Sequence, residues 1–557
     1  MVPPMFTAVD WIILVGYIAG TTWLADRLAK KQQTIRDFFL GGRQLSWKVV
    51  AASIVATEIS GVTFVSVPAI AWAVGGNYTY LMLAVGSVTA RVLIGYFFVP
   101  AYYRREIYSP YEFMGQVLGK TFDRLATVIF FLGGFLAQGA RLFLAGLVLD
   151  DITGMGITLS VIALAAISVL WTWIGGITSV VWTDIIQFAI LFIGALTALY
   201  AVAWVMPGGV EAIVKAGDDG GKFKLWDFTF DRTTEFTFWC GLIGTTFLTL
   251  GSHGTDQMMA QRLFCCRNAK DARKAIIASS VGVLLAAVML SVGVGLFAYF
   301  REFPMNAADA AKVARRKDYV FPVFIRTVMP IGVKGLLFAA IFSAATATGT
   351  LAAMAQSAMA TFWLPFRKTP PTDREQVFAS RVLVLVAAVV LCAVAVLCQY
   401  IERYSDILRL ALSMAAYTYG ALLGMLLFAL RPCGRDARGL IWGVGYSILL
   451  IFAINWQHHE WARYVATIGT ATLFASALVN RDLLREPLRL LVIAAGAGII
   501  LLVTWWKMID GPPGQGPEYL KLAFPWSFTI GTALTLAMAH LVGRSGRGLL
   551  EGRSERV

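Results

Sequence analysis

The sequence predicts an all-α polytopic membrane protein with about 15 transmembrane helices. The chain has 557 residues, of which 58% are hydrophobic and only 14% are charged. A soluble protein needs a more polar surface than this composition supplies. Apolar stretches of about 20 residues, the length of a membrane-spanning helix, recur along the chain. Because barrel strands are only about ten residues long, these stretches favour helices over a closed barrel.

The positive charge indicates orientation in the membrane. The net charge is +14, and with the N-terminus outside, the predicted inside loops, among them 176–180 and 261–274, hold most of the 47 Lys and Arg residues. This distribution follows the positive-inside rule, so nucleic acid is not an expected partner. We expect the inner membrane of a bacterium and a cytoplasmic C-terminus. Only Arg91, Arg141 and Arg409 fall within predicted spans.

Two predicted spans carry polar and helix-breaking residues at mid-membrane depth. The second contains Glu58, Gly61 and Pro68, and the seventh contains Gly254 and Asp256. Their positions allow each to begin a five-helix repeat. Paired broken helices of this kind are typical of secondary transporters, where the unwound backbone holds ions and solutes. The alternative is that Gly and Pro are simply frequent in membrane helices.

A third polar segment lies in the ninth span, at Thr346–Thr350. Ala344, Ala347 and Thr348 share one helical face there. The Thr348 hydroxyl and the carbonyls of Ala344, Ala56 and Ile59 would supply oxygen ligands to a small cation. Small residues and Thr also permit close helix packing, and spacing alone does not separate the two interpretations.

Several short motifs along the chain resemble those of one known family. They are Asp37–Arg43 (DFFLGGR), Ile107–Phe113 (IYSPYEF), Gly175–Gly176, Trp182–Gln187 (WTDIIQ), Thr255–Gln257, Gln261–Arg262, Tyr417–Gly420 and Leu422–Gly424. Together they resemble the sodium:solute symporter family, which includes sodium/glucose, proline, sialic acid, iodide and monocarboxylate transporters.

The resemblance implies a LeuT-type fold, an inverted repeat of five plus five helices with extra N- and C-terminal spans. We therefore expect an N-terminal extra span in 1–35 and a symporter core in 36–432. The core would hold repeats at about 47–206 and 236–431. Residues 433–557 would form C-terminal extra spans and a cytoplasmic tail.

The resemblance also implies a sodium ion between the second and ninth spans. Its ligands would be the carbonyls of Ala56, Ile59 and Ala344 and hydroxyls at positions 347 and 348. This chain keeps Thr348 but has Ala347, so one family oxygen is missing.

Glu58 and Asp184 are candidate coupling residues. Glu58 stands where the family's proline transporters carry an aspartate, and its carboxylate could compensate for the missing hydroxyl, carry a proton, or serve only in packing. In relatives the equivalent of Asp184 lines the sodium exit route or a second sodium site. Thr350 could serve that second site, but Leu351 replaces another hydroxyl, so we do not expect a second sodium. Asp184 could also be a helix N-terminal acid.

The substrate residues favour a carboxylate over a sugar. Galactose transporters of the family use polar residues where this chain has Val62, Thr63, Ala84 and Ser87, so most hydroxyl partners are absent. Arg141 could hold a carboxylate through two hydrogen bonds, as a similar arginine does in the sialic acid carriers.

Two other interpretations of Arg141 stay open: the side chain could reach the interface, or it could pair with Asp256 or Asp184. Thr249, Ser252 and His253 complete the predicted substrate site. His253 could instead carry a proton or only bond its neighbours.

The predicted function is therefore sodium-coupled symport of a small, carboxylate-bearing organic solute by alternating access. The partners expected are the solute, sodium and the lipid bilayer, with no obligate protein partner. A proton-coupled symporter and a non-transporting membrane sensor remain alternatives. No metalloprotease-type HExxH motif or similar catalytic signature is found in the sequence, so an enzyme is not expected.

Overall fold

A computed structural model describes residues 6–29, 40–59, 61–105, 107, 109–345, 348–401, 407–431, 436–506 and 520–543. Within these ranges the protein is helical, and its only β-type pairing is an isolated bridge between Leu45 and Cys266. The all-α prediction is confirmed.

The first part of the chain forms nine helices and one π-helical segment. The helices are α1 (Ala8–Ala29), α2 (Trp47–Glu58), α3 (Gly61–Trp72), α4 (Met82–Leu93), α5 (Val99–Tyr103), α6 (Pro110–Leu118), α7 (Lys120–Thr153), α8 (Ile157–Val205) and α9 (Gly209–Asp219). The π-helical segment of this part is Ile94–Phe98. A second π-helical segment, Cys240–Thr245, begins the next part.

The second part continues the helical pattern. Its helices are α10 (Thr246–Thr249), α11 (Gln257–Phe264), α12 (Ala269–Ala278), α13 (Gly282–Glu302), α14 (Ala307–Arg315), α15 (Val320–Val328), α16 (Val333–Ala345), α17 (Thr348–Ala358), α18 (Asp373–Ile401), α19 (Ile407–Leu430), α20 (Gly439–Trp456), α21 (Glu460–Val479), α22 (Arg481–Leu484), α23 (Pro487–Trp505) and α24 (Phe524–Val542).

The predicted spans coincide with these helices. Among the described residues, nine helices are long and apolar enough to cross a membrane, and ten if the bent pair α2 and α3 is one span. Shorter apolar helices also occur at Ala8–Leu24, Ile157–Trp173 and Ala415–Leu430. The exact number of spans stays a prediction.

The connection between the fifth and sixth spans differs from our expectation. We expected a loop at 176–180, but α8 is helical throughout its 49 residues. At 1.5 Å per residue a straight helix of this size would be more than twice the thickness of the hydrocarbon core, about 30 Å. It therefore contains both predicted spans, joined through helical backbone.

The second span is broken where the sequence predicts. Helix α2 ends at Glu58, and Ile59 adopts an extended conformation with φ −77° and ψ 99°. The two halves of the span are bent by 60°. Backbone carbonyls near such a bend lose their helical partners and become available to a ligand.

The seventh span is broken as well. Its π-helical turn Leu250–Thr255 ends at Asp256, which is extended with ψ 127°. The Asp256 carboxylate then caps α11 by accepting a 2.7 Å hydrogen bond from the backbone N–H of Met258. Both predicted breaks are confirmed, and π-helical turns are frequent at functional sites.

The second half of the broken second span is fixed by close packing. Phe64 of α3 is fully buried in a cluster with Leu191 of α8 and Phe321 of α15. A Cβ on Gly293 of α13 would lie 2.3 Å from the Pro68 carbonyl oxygen, so glycine is required for this helix contact. The bend is therefore supported by three neighbouring helices.

The extra N-terminal helix is attached to α16. Asp10 is completely buried, and its Oδ1 accepts hydrogen bonds from the backbone N–H groups of Gly332 (2.8 Å) and Gly335 (2.9 Å). These groups begin α16, where a carboxylate is favoured by the helix dipole. On the same helix, Thr22 accepts a 2.7 Å bond from the Trp171 indole of α8. Helix α1 thus braces α16 and α8.

We expect Asp10→Ala to lower the free energy of unfolding by about 1–3 kcal/mol, because two buried N–H groups lose their acceptor. Asp10→Asn, which keeps an acceptor oxygen, should lose less. The measurement is the unfolding midpoint of the purified protein in detergent. Thr21→Val is the matched control, since the Thr21 hydroxyl bonds only within α1. An Asp10→Ala midpoint equal to that of the control would contradict the bracing role.

Candidate functional site

A cavity of about 220 Å³ lies between the two broken spans. Its walls come from α2, α3, α4, α7, α13, α19 and the seventh span. Its polar lining residues include Glu58, Thr63, Ser87, Gln138, Arg141, Thr249, Ser252, His253 and Tyr419. All predicted substrate residues with described side chains therefore lie around one cavity. The side chain of Val62 lies outside the described part.

One wall of the cavity carries an ion pair that the sequence did not reveal. Arg91 of α4 is 1% exposed, and its Nη2 donates a hydrogen bond to Oε2 of Glu58. Its Nη1 donates to the Ser87 hydroxyl at 3.0 Å. A charge buried alone at mid-membrane depth is costly. The opposite signs of Arg91 and Glu58, both inside predicted spans, were the available signal.

His253 extends this cluster. Nη2 of Arg91 lies 3.3 Å from Nε2 of His253, and Nδ1 of His253 lies 2.9 Å from the Ser252 hydroxyl. Since a guanidinium only donates, Nε2 is the accepting nitrogen and the ring proton lies on Nδ1. Glu58, Arg91, His253 and Ser252 form one connected polar wall.

Glu58 is the most exposed of the three ionisable members of this wall. Its side chain is 32% exposed, against 1% for Arg91 and 5% for His253. The contact with Arg91 uses Oε2, and no described residue donates a hydrogen bond to Oε1. One carboxylate oxygen is therefore available to a ligand.

Arg141 of α7 lines the same cavity without such a partner. Within the described ranges, its guanidinium makes no hydrogen bond or ion pair, although Tyr419, Asp256 and Glu58 are within electrostatic reach. Asp256 accepts bonds from the Tyr419 hydroxyl (2.6 Å) and from the Met258 N–H. Pairing with Asp184 is wrong, because Asp184 pairs with a different arginine.

That arginine is Arg262 of α11. Its Nη2 and Nε lie 2.9 and 3.2 Å from Oδ2 of Asp184, and both side chains are at most 3% exposed. Ser53 of α2 donates to the same carboxylate oxygen at 2.5 Å. Helices α2, α8 and α11 are thereby joined near the C-terminal end of α11. This end lies within the segment 261–274, which the sequence predicts as an inside loop.

The predicted sodium residues are distributed over α2, the bend and α16–α17. Ala56, Ile59 and Thr348 are buried, Ala344 lies in the last turn of α16, and Ala347 lies outside the described residues. The carbonyl of Thr348 lies 3.4 Å from the Thr172 hydroxyl, which donates to it.

Arg262 connects the two halves of this predicted site. A Cβ on Gly349 would lie 2.4 Å from Nη2 of Arg262, so the start of α17 packs directly on the guanidinium. Nε of Arg262 donates to the Ser53 hydroxyl at 2.9 Å. Ser53 precedes Ala56 by one helical turn, so the start of α17 lies beside α2, as the predicted site requires.

The hydroxyl of Thr350 does not bond to Asp184. Its hydroxyl donates to Sδ of Met258 at 3.2 Å, while Asp184 is held by Arg262 and Ser53. Leu351 is fully buried. The expectation that a second sodium is not bound stays a prediction, and these contacts agree with it.

Comparison with known proteins gives a family and a fold. The model of the sodium:solute symporter family matches residues 38–445. The chain is 28% identical to a sodium-coupled monocarboxylate transporter 2 of Bos taurus over 435 residues, covering 76% of this chain and 68% of the relative. It is 23% identical to a sodium/sialic acid symporter of Proteus mirabilis over 487 residues, covering 86% and 96%. It is 26% identical to the human sodium/iodide cotransporter over 427 residues, covering 75% and 64%.

A solved structure of a sodium-coupled sialic acid symporter in a substrate-bound, outward-open state superposes with a TM-score of 0.75. The two chains are 20% identical, and the match covers 96% of this chain and 97% of the other. The LeuT-type fold expected from the sequence is confirmed. Because the family model matches more than half of its length, the chain belongs to the sodium:solute symporter family.

Proposed function

We propose that this protein transports a carboxylate-bearing organic solute together with one sodium ion, by alternating access in a bacterial inner membrane. Sodium-coupled transport of an organic solute is the activity named for two kinds of relative, the monocarboxylate and sialic acid transporters. The observation that supports the carboxylate is Arg141, a cavity-lining guanidinium that is bonded to no acid among the described residues.

Arg141 is the cavity-lining cation that favours an anionic group. Glu58 is bonded to Arg91, whereas Arg141 interacts with Asp256 and Glu58 only at longer range and makes no hydrogen bond to a described residue. A guanidinium binds a carboxylate through two parallel hydrogen bonds, which a halide ion does not allow. A carboxylate therefore relieves the burial of Arg141 better than a neutral solute or a single-atom anion.

For sodium, the bend supplies the ligands. The carbonyls of Ala56 and Ile59 lie where α2 ends, the carbonyl of Ala344 lies in the last turn of α16, and the hydroxyl of Thr348 lies at the start of α17. Glu58 is held by Arg91, so we infer that a water or a solute oxygen takes the position of the hydroxyl that Ala347 lacks.

The pair between Asp184 and Arg262 supports a closed inner gate. It joins α2, α8 and α11 on the side of the predicted inside loops, while the cavity reaches Tyr80 and Phe524 on the other side. Rocking of the broken spans against the remaining helices would separate this pair and release sodium and solute inward.

A proton-coupled symporter and a membrane sensor are the alternatives. Uptake into liposomes containing the purified protein separates them. We expect uptake driven by an inward sodium gradient and abolished without sodium. Uptake driven by a pH gradient without sodium would support the first alternative, and binding without uptake would support the second.

Arg141→Gln is expected to weaken binding of the accepted carboxylate by about 100-fold, the loss of a bidentate, charge-assisted contact. The measurement is the dissociation constant at saturating sodium. Arg463→Gln is the matched control, because Arg463 lies in α21, away from the cavity. Unchanged affinity in Arg141→Gln would contradict the proposed anchor.

Thr348→Ala should raise the sodium concentration for half-maximal uptake by about tenfold, since one neutral ligand contributes about 1 kcal/mol or more. Solute selectivity should stay the same. Thr361→Ala serves as the control, because this hydroxyl bonds Thr127. A change of selectivity without a change of sodium activation would reject the sodium site.

Arg262→Gln should open the inner gate. The reporter is Cys265, which is completely buried next to this gate. In a variant that keeps only this cysteine, we expect a membrane-impermeant thiol reagent on the inner side to modify it at least about tenfold faster after Arg262→Gln. Arg267→Gln is the exposed control. Equal rates in both variants would show that the pair does not close the inner side.

A further inference from the structure

We propose that the transported solute carries a hydrogen-bond donor besides its carboxylate, and that Glu58 binds this donor. The substrate class would be hydroxy- or aminocarboxylates rather than unsubstituted alkyl carboxylates. This inference rests on the proposed function, because it takes Arg141 as the carboxylate anchor. It assigns a specificity role to Glu58 and a positioning role to Arg91.

The two guanidinium groups of the cavity region have different surroundings. Arg91 is 1% exposed, its Nη1 and Nη2 contact Ser87, Glu58 and His253, and its Nε is buried. It therefore has no free face for a solute. Arg141 lines the cavity without a hydrogen bond to any described residue. The carboxylate of a solute goes to Arg141, and Arg91 holds Glu58 in place.

Glu58 offers an acceptor to the same cavity. Its Oε2 binds Arg91, while Oε1 receives no hydrogen bond from the described residues and the side chain is 32% exposed. An ionised carboxylate has no proton to donate, so among the polar groups of an organic solute it binds a hydrogen-bond donor. The cavity thus has a donor on one wall, Arg141, and an acceptor on the other.

A solute without a donor leaves this acceptor unsatisfied. An alkyl carboxylate that displaces the water around Oε1 cannot replace the hydrogen bond that this water donated. Its binding is therefore weaker. A hydroxyl or an ammonium group replaces it. Sites built to bond such a group discriminate strongly against the analogue that lacks it.

The position of Glu58 also connects the solute to sodium. Glu58 lies between Ala56 and Ile59, whose carbonyls belong to the proposed sodium site, and it is the last residue of α2. A solute donor bound to Glu58 would therefore contact the bend that holds the ion.

The test is a binding series on the full-length protein in detergent at saturating sodium chloride. The probes are carboxylic acids with chains of three to six carbons. Each is used unsubstituted, as hydroxy acids and as amino acids, with the substituent at each position. For the best-binding substituted acid, we expect a dissociation constant at least about tenfold lower than that of its unsubstituted partner.

Glu58→Gln should reduce this ratio to less than about twofold for an amino acid, because the neutral amide attracts an ammonium group weakly. Arg91→Lys should reduce the same ratio, since lysine keeps the positive charge at position 91 but changes how Glu58 is held. The wild-type ratio alone tests the inference if a variant does not fold.

Unsubstituted acids that bind as tightly as every substituted partner would overturn the inference, as would a Glu58→Gln variant with the wild-type ratio. In both cases a loss of binding in Arg141→Gln would leave the proposed function intact. Binding of matched neutral alcohols or amines as tightly as the acids would overturn the proposed function itself. Failure of every acid to bind would overturn both.

Discussion

The interruption of the second span at Glu58 and Ile59 is the constraint on which the rest of this structure depends. A helix that stops inside a membrane exposes backbone carbonyls, and here it also ends with a carboxylate at the negative end of the helix dipole. Arg91 approaches from α4 and pairs with this carboxylate. The break is thereby stable enough to leave its carbonyls available for an ion.

Three arginines in the central part of the described structure differ in their partners. Arg91 pairs with Glu58, and Arg262 pairs with Asp184. Among the described residues, no acid is bonded to Arg141. In a low-dielectric interior, such a charge is tolerated where a ligand or water forms hydrogen bonds with it. A guanidinium that lines a cavity without a bonded acid is a simple way to select anions.

Much of this architecture was predictable from sequence, because membrane depth makes polar residues conspicuous. Glu58, Gly61 and Asp256 indicated the two breaks, and Arg141 indicated the proposed carboxylate anchor. The partner of Glu58 was not predictable, because pairing across 33 positions depends on how α4 packs against the break. Asp184 was likewise assigned to the ion route, but its neighbour Arg262 follows only from the meeting of α8 and α11. The continuous helix at 176–180 was missed because its glycines resembled a loop.

The contact between Asp10 and the start of α16 gives the accessory first helix an influence on the ion site. Helix α16 carries Ala344 at its opposite end. If this helix moves as a rigid body, a small axial shift at Gly332 also moves Ala344, a proposed sodium ligand. Selection acting on a helix outside the inverted repeats can thus retune ion affinity while every ligand stays the same.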